Sequence, residues 1–110
     1  VRNSEALEAF VDQRLAPLIE HDANRKSKLL PTLFVYCELW GRKAETARAL
    51  HLERQSLYHR LERIEALLGE DLSDNDTLLE LHIALRAYPY IRGGTGVVEW
   101  QPLPPAESTR

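Results

Sequence analysis

Apolar residues recur along this chain at spacings of three and four, the period of helices that bury one side. Leu7, Phe10, Val11 and Leu15 open the series, and Ser4 stands where a cap for that first helix belongs. Pro17 lacks an amide hydrogen, so it is expected to kink this segment or restart it over 17–20. A second helix is expected after Ser27, with Leu29, Leu30, Leu33, Phe34, Cys37 and Trp40 as a wide apolar stripe. Pro31 falls in its first turn, where backbone donors have no intrahelical partner, and Gly41 supplies a left-handed stop.

The pattern then tightens. A short helix is predicted over 43–50, a break at His51-Leu52-Glu53, and a longer helix over 54–68 that Gly69 ends. Ser73, Asp74 and Asn75 are capping candidates for a last helix over 76–88, with Leu78, Leu79, Leu81, His82 and Leu85 as its apolar side and Pro89 as its stop. Beyond it, Gly93-Gly94-Thr95-Gly96 and Pro102, Pro104 and Pro105 interrupt any helical period. The segment reads as a flexible tail with one weak strand signal, over 96–100. The fold class expected is all-α, about five helices, organised as a connector helix region over 1–26, a helix-turn-helix domain over 27–88 and a tail over 89–110.

The centre of this pattern carries the functional signal. A helix-turn-helix needs a small residue where its helices cross, and Ala47 provides it. It needs apolar residues closing the first helix and following the turn, here Leu50 and Leu52. Its second helix needs an inward stripe, here Leu57, Leu61, Ile64 and Leu68. His51 occupies the turn position that wants a left-handed residue, a conformation histidine adopts at modest cost.

With that stripe inward, Gln55, Ser56, His59 and Glu62 turn largely outward. The first residues of a recognition helix reach base edges in the major groove. Gln55 suits adenine, and Arg54 or Arg60 suits guanine or phosphate. Ser56, Tyr58 and His59 complete the base-reading candidates. Arg42, Lys43, Thr46, Arg48 and Arg63 flank the same face as phosphate candidates, which give affinity without sequence information. A single such module offers few contacts, so a homodimer on two half-sites of double-stranded DNA is expected. An alternative from another class is a helical protein-interaction or dimerisation module that binds no DNA.

Charge at first sight opposes nucleic acid. The 110 residues hold 14 Lys and Arg against 17 Asp and Glu, a formal net charge of −3. The charges are segregated, however: −3 over residues 1–24, +5 over 25–63 and −5 over 64–88. The basic island contains the recognition hairpin as far as Arg63.

Other chemistries find little support. The single cysteine, Cys37, excludes an internal disulfide and fits a reducing, cytoplasmic setting. No apolar run approaches the roughly 18 residues of a membrane span, and no signal peptide opens the chain. His21, Cys37, His51, His59 and His82 lack any metal-ligand spacing, so no metal is expected. Asp71, Asp74, Asp76 and Glu80 read as a solvated, cap-rich loop, since calcium-loop spacing is absent. Gly93-Gly94-Thr95-Gly96 lacks the lysine and the strand–helix setting of a phosphate loop. No nucleophile stands with an evident base, so neither an enzyme nor a cofactor is expected. The chain contains no methionine and starts at Val1, which reads as a piece of a longer protein.

Leu29-Leu30-Pro31-Thr32-Leu33, Thr46-Ala47-Arg48-Ala49-Leu50-His51-Leu52, Leu57-Tyr58-His59-Arg60-Leu61-Glu62-Arg63-Ile64-Glu65-Ala66-Leu67 and Leu81-His82-Ile83-Ala84-Leu85-Arg86-Ala87-Tyr88 together resemble the C-terminal helix-turn-helix domain of PucR-type regulators. These are bacterial purine-catabolism and sugar-diacid regulators. Ala16-Pro17-Leu18 and Asp22 also resemble the family's connector before this domain. The resemblance implies a Fis-like recognition hairpin, transcription regulation, frequent self-association, and a sensory portion elsewhere that would hold any small-molecule effector. Gln55-Ser56 stand where the family often has Asn-Thr, Tyr58-His59 where it has Arg-Tyr, and Ala44 where it has a capping Ser. The first two departures fall on the reading face.

Overall fold

The computed structural model describes residues 2–92, with side chains described over residues 5–91. Five helices account for most of them: α1 (Arg2–Ala23), α2 (Leu30–Glu38), α3 (Lys43–Leu50), α4 (Arg54–Leu68) and α5 (Asn75–Arg92). No strand occurs among the described residues, so the all-α class holds. The expected tail, its 96–100 strand signal and the glycine cluster lie outside the described residues, apart from the tail's first four residues, which belong to α5.

The two outer helices are longer than their prolines suggested. Ser4 lies inside α1 and is not its cap, and α1 runs through Pro17 to Ala23 without ending or restarting. The lost hydrogen bond is offset by burial, because Leu15 and Leu18, on either side of Pro17, are fully enclosed. Pro89 likewise does not stop α5, which continues to Arg92. Pro89 is itself buried, and Tyr88 and Ile91 beside it pack on the core. Hydrophobic docking overrides local propensity at both sites.

At the other end of α5, Asp74 is the working cap: its Oδ2 accepts the Thr77 amide at 3.0 Å and the Thr77 hydroxyl at 2.9 Å. Leu78, Leu81, His82 and Leu85 face inward as expected, whereas Leu79 does not. Leu79 and Ile83, four residues apart, stand on the solvent side of α5.

A second correction concerns Trp40. The stripe of α2 ends one turn earlier, at Cys37, and the chain then makes two successive left-handed steps at Trp40 (φ 56°) and Gly41 (φ 77°). The Gly41 amide bonds back to the Tyr36 carbonyl at 2.9 Å, closing the helix end. This turn swings Trp40 out of the core to 61 % exposure, edge-on to the His82 ring at 5.4 Å.

One core unites all five helices. Leu15 and Leu18 of α1, Leu33 of α2, Leu57 and Ile64 of α4, and Leu81 and Leu85 of α5 are fully enclosed, and Ala47 brings in α3. From Phe10 to Ile19 the apolar side of α1 is thus committed to the domain core, whereas Leu7, which opens the expected series, is exposed. Arg14 adds a polar tie, reaching Glu70 at 2.6 Å in the α4–α5 turn and Glu80 at 3.3 Å on α5.

Cys37 reports on this core. It is fully enclosed, and burial, then the neighbouring Glu38 charge, pushes its thiol from an ordinary 9.0 up to about 12. Burial, followed by the charge at Cys37, also raises Tyr36. The folded chain therefore keeps protons that the unfolded chain releases. The associated stability is complete below about pH 9 and is lost as pH rises toward 12. Titrating the folded chain with a thiol reagent at neutral pH should give almost no reaction, and adding urea should release one reactive thiol. Rapid modification without urea would contradict the core placement.

Candidate nucleic-acid interface

Residues 43–68 form the hairpin at the expected boundaries. Its turn is built by His51, which adopts the left-handed conformation (φ 57°, ψ 42°) and closes α3. The amides of His51 and Leu52 bond back to Arg48 at 3.2 Å and Ala47 at 2.9 Å. Leu50 and Leu52 pack against the core on either side of that step. Glu53 is extended and starts α4. Because the core holds both hairpin helices, α4's direction is fixed relative to α3.

Leu57, Leu61 and Ile64 anchor α4 inward. At about 100° per residue the opposite side carries Gln55, His59, Glu62 and Ala66, with Ser56 and Arg63 on one shoulder and Tyr58 on the other. All but the half-buried Tyr58 are exposed. The side chains of Gln55, Ser56, His59, Arg63 and the leading Arg54 make no hydrogen bond or ion pair among the described residues. An outward row of donors and acceptors is thus free for an external partner.

Three expected site residues are otherwise engaged. Thr46 is fully buried, and its hydroxyl donates to the Arg42 carbonyl at 2.7 Å. It secures the first turn of α3 and has no surface to offer a phosphate. Arg60 lies toward the core side of α4, where Nη1 donates to Thr32 Oγ1 at 3.1 Å and to the Lys28 carbonyl at 3.4 Å. It braces α4 against the start of α2 and is withdrawn from the outward row. Tyr58 turns toward α3, with the Lys43 ammonium 5.4 Å from its ring centroid.

Arg42, just before α3, and Lys43 and Arg48 within it are exposed. Arg42 also meets Glu45 at 3.4 Å, an exposed pair that contributes little and leaves the guanidinium available. The capping position of α3 is Arg42, with no side-chain cap, so Ala44 lies inside the helix and its lack of a hydroxyl costs no cap there.

Two features were missed from the sequence. Asp22, 6 % exposed at the end of α1, accepts the amides of Leu29 and Leu30, both at 2.8 Å. His21 Nδ1 is 2.7 Å from the same carboxylate, and the Lys28 ammonium donates to the Asp22 carbonyl. The cap lies seven and eight residues from the amides it serves, so no local pattern marks it. The second feature is the α1–α2 loop: its exposed Arg25 and Ser27 line a depression together with His59, Arg60 and Arg63 of α4, and Lys26, between them in the chain, is exposed.

A family model described as the PucR C-terminal helix-turn-helix domain matches residues 29–87, more than half of the chain. The chain belongs to this family. Its hairpin, and α2 and α5 around it, are thus those of a regulator's helix-turn-helix domain, whereas α1 precedes the matched region.

Among curated relatives, the purine catabolism regulatory protein of Bacillus subtilis (strain 168) is 40 % identical over 82 residues, covering 74 % of this chain and 15 % of that protein. The transcriptional activator PmfR of Paenarthrobacter nicotinovorans is 34 % identical over 88 residues, covering 80 % of this chain and 18 % of that protein. The chain thus spans less than a fifth of the length of either relative. No solved structure matches it. Among the described residues, no helix is long and apolar enough to cross a membrane.

Proposed function

We propose that this domain is the sequence-specific DNA-binding output element of a bacterial transcriptional regulator, acting in the cytoplasm with α4 in the major groove. The observation that carries the reading is the outward side of α4. From Gln55 to Arg63 its exposed positions hold only polar or charged side chains, most of them without a partner among the described residues. Gln55 suits the edge of adenine, Arg54 that of guanine, and Glu62 accepts from cytosine. Arg42, Lys43, Arg48 and Arg63 supply phosphate contacts.

The interaction-module alternative asks for an apolar outer face on α4, and that stretch offers none. One copy reads few base pairs, so the domain works as a homodimer on paired half-sites. Effector binding belongs to other parts of the regulator.

Titrating the chain with a labelled duplex over a series of KCl concentrations tests the reading. Log affinity should fall linearly with log salt, by about 0.9 per phosphate contact. Binding that is absent, or insensitive to salt, would contradict it.

A further inference from the structure

The geometry points to a second phosphate-binding wall: Arg25 and Lys26 of the α1–α2 loop, with Arg63 of α4, grip the DNA backbone on the groove rim opposite α3. This inference rests on the DNA reading of α4 and adds a contact surface that the hairpin does not contain.

Apart from Arg63 of α4 itself, the helix-turn-helix supplies charge on one flank of α4 alone. Lys43 stands over Tyr58, so α3 lies on the Tyr58 shoulder. The other shoulder, bearing Ser56 and Arg63, faces a depression formed with the α1–α2 loop and lined by Arg25, Ser27, His59 and Arg63, among others. Arg25 and Lys26 are exposed and make no ion pair among the described residues. No acid lines that depression, whereas the exposed Glu20 lines an adjoining hollow together with Arg25. Asp22 is buried and already serves the Leu29 and Leu30 amides.

The loop is also held in register with α4. Arg60 bonds to the Lys28 carbonyl and to Thr32, and Lys28 in turn bonds to the Asp22 carbonyl. Lys28 and Arg60 are therefore positioning residues that leave Arg25 and Lys26 as the free cations of the loop. A major groove about 12 Å wide is nearly filled by one helix about 10 Å across, so elements on both flanks of that helix come up against the two bordering backbones. Charge on both walls fits that arrangement, whereas the hairpin alone would meet the second strand through Arg63 only.

Fluorescence anisotropy with a random-sequence duplex across a KCl series reads the wall directly, because phosphate contacts do not depend on sequence. Arg25→Ala/Lys26→Ala should lower the magnitude of the log–log salt slope by about 1.8, two contacts at about 0.9 each. The charge-keeping Arg25→Lys/Lys26→Arg should hold the original slope. A slope unchanged in the alanine pair, while Arg42→Ala/Arg48→Ala lowers it, would overturn the second wall and leave the DNA reading intact. Absence of salt-dependent binding by the unsubstituted chain would overturn both.

Discussion

Replacing Asp22 by alanine is expected to lower the unfolding free energy by about 3 kcal/mol, with Asp22→Asn losing roughly half as much. The α2 helix has no side-chain cap of its own, since Leu29 holds the capping position with helical dihedrals. Its first amides depend on Asp22: Leu29 and Leu30 donate to the two carboxylate oxygens, and Pro31 has no amide to satisfy. Removing the carboxylate strands two buried donors, each costing about 1–3 kcal/mol when left without a partner, and frees the turn that joins α1 to α2. Asparagine retains one acceptor oxygen but loses the charge that strengthens both bonds. Urea unfolding followed by circular dichroism measures the loss. A change below about 0.5 kcal/mol for Asp22→Ala, the scale of an ordinary surface substitution, would contradict this role.

Asp22 also marks where the sequence ceases to be legible. The boundaries of α3 and α4 were readable because every determinant is local: Ala47, the left-handed His51, the Leu57–Leu61–Ile64 stripe and Gly69 act within a few residues of one another. Pro17 and Pro89 misled because their local cost is outweighed by distant core residues that hold the flanking turns in place. Arg60 and the wall beside it depend on contacts 28 and 32 residues apart, which no spacing rule reveals.

Thr46 is a different kind of miss. It lies one turn before Leu50 and beside Ala47, so its inward placement was readable from helical geometry, but its polarity was given more weight. On α4, the same geometry separated Gln55, Ser56 and His59, which face outward, from Leu57 and Leu61, which do not. The loop cations were visible as part of the +5 island. Their place beside α4 was not.

The largest functional effect is expected at the start of α4. Gln55 lies in its first turn, exposed and without a partner among the described residues, and its amide has the donor–acceptor pair that adenine presents in the major groove. Gln55→Ala should weaken binding to a preferred duplex by about 1–3 kcal/mol, roughly 5- to 150-fold, while leaving random-sequence binding nearly unchanged. Arg54→Ala should act in the same direction, with some loss on random DNA as well, because its charge also serves the backbone. The substitutions remove no internal bond, so the thermal transition should stay in place. Equal losses on preferred and random duplexes would move Gln55 from base reading to general attraction.

Selection of bound duplexes from a random pool, carried out in parallel with the unsubstituted chain and with Gln55→Ala, tests sequence reading by α4 most directly. The unsubstituted chain should enrich a defined motif, and Gln55→Ala should lose the preference at one position of it while keeping the rest. Failure of the unsubstituted chain to enrich any motif, or an identical motif from both proteins, would contradict the reading of DNA sequence by this face of α4.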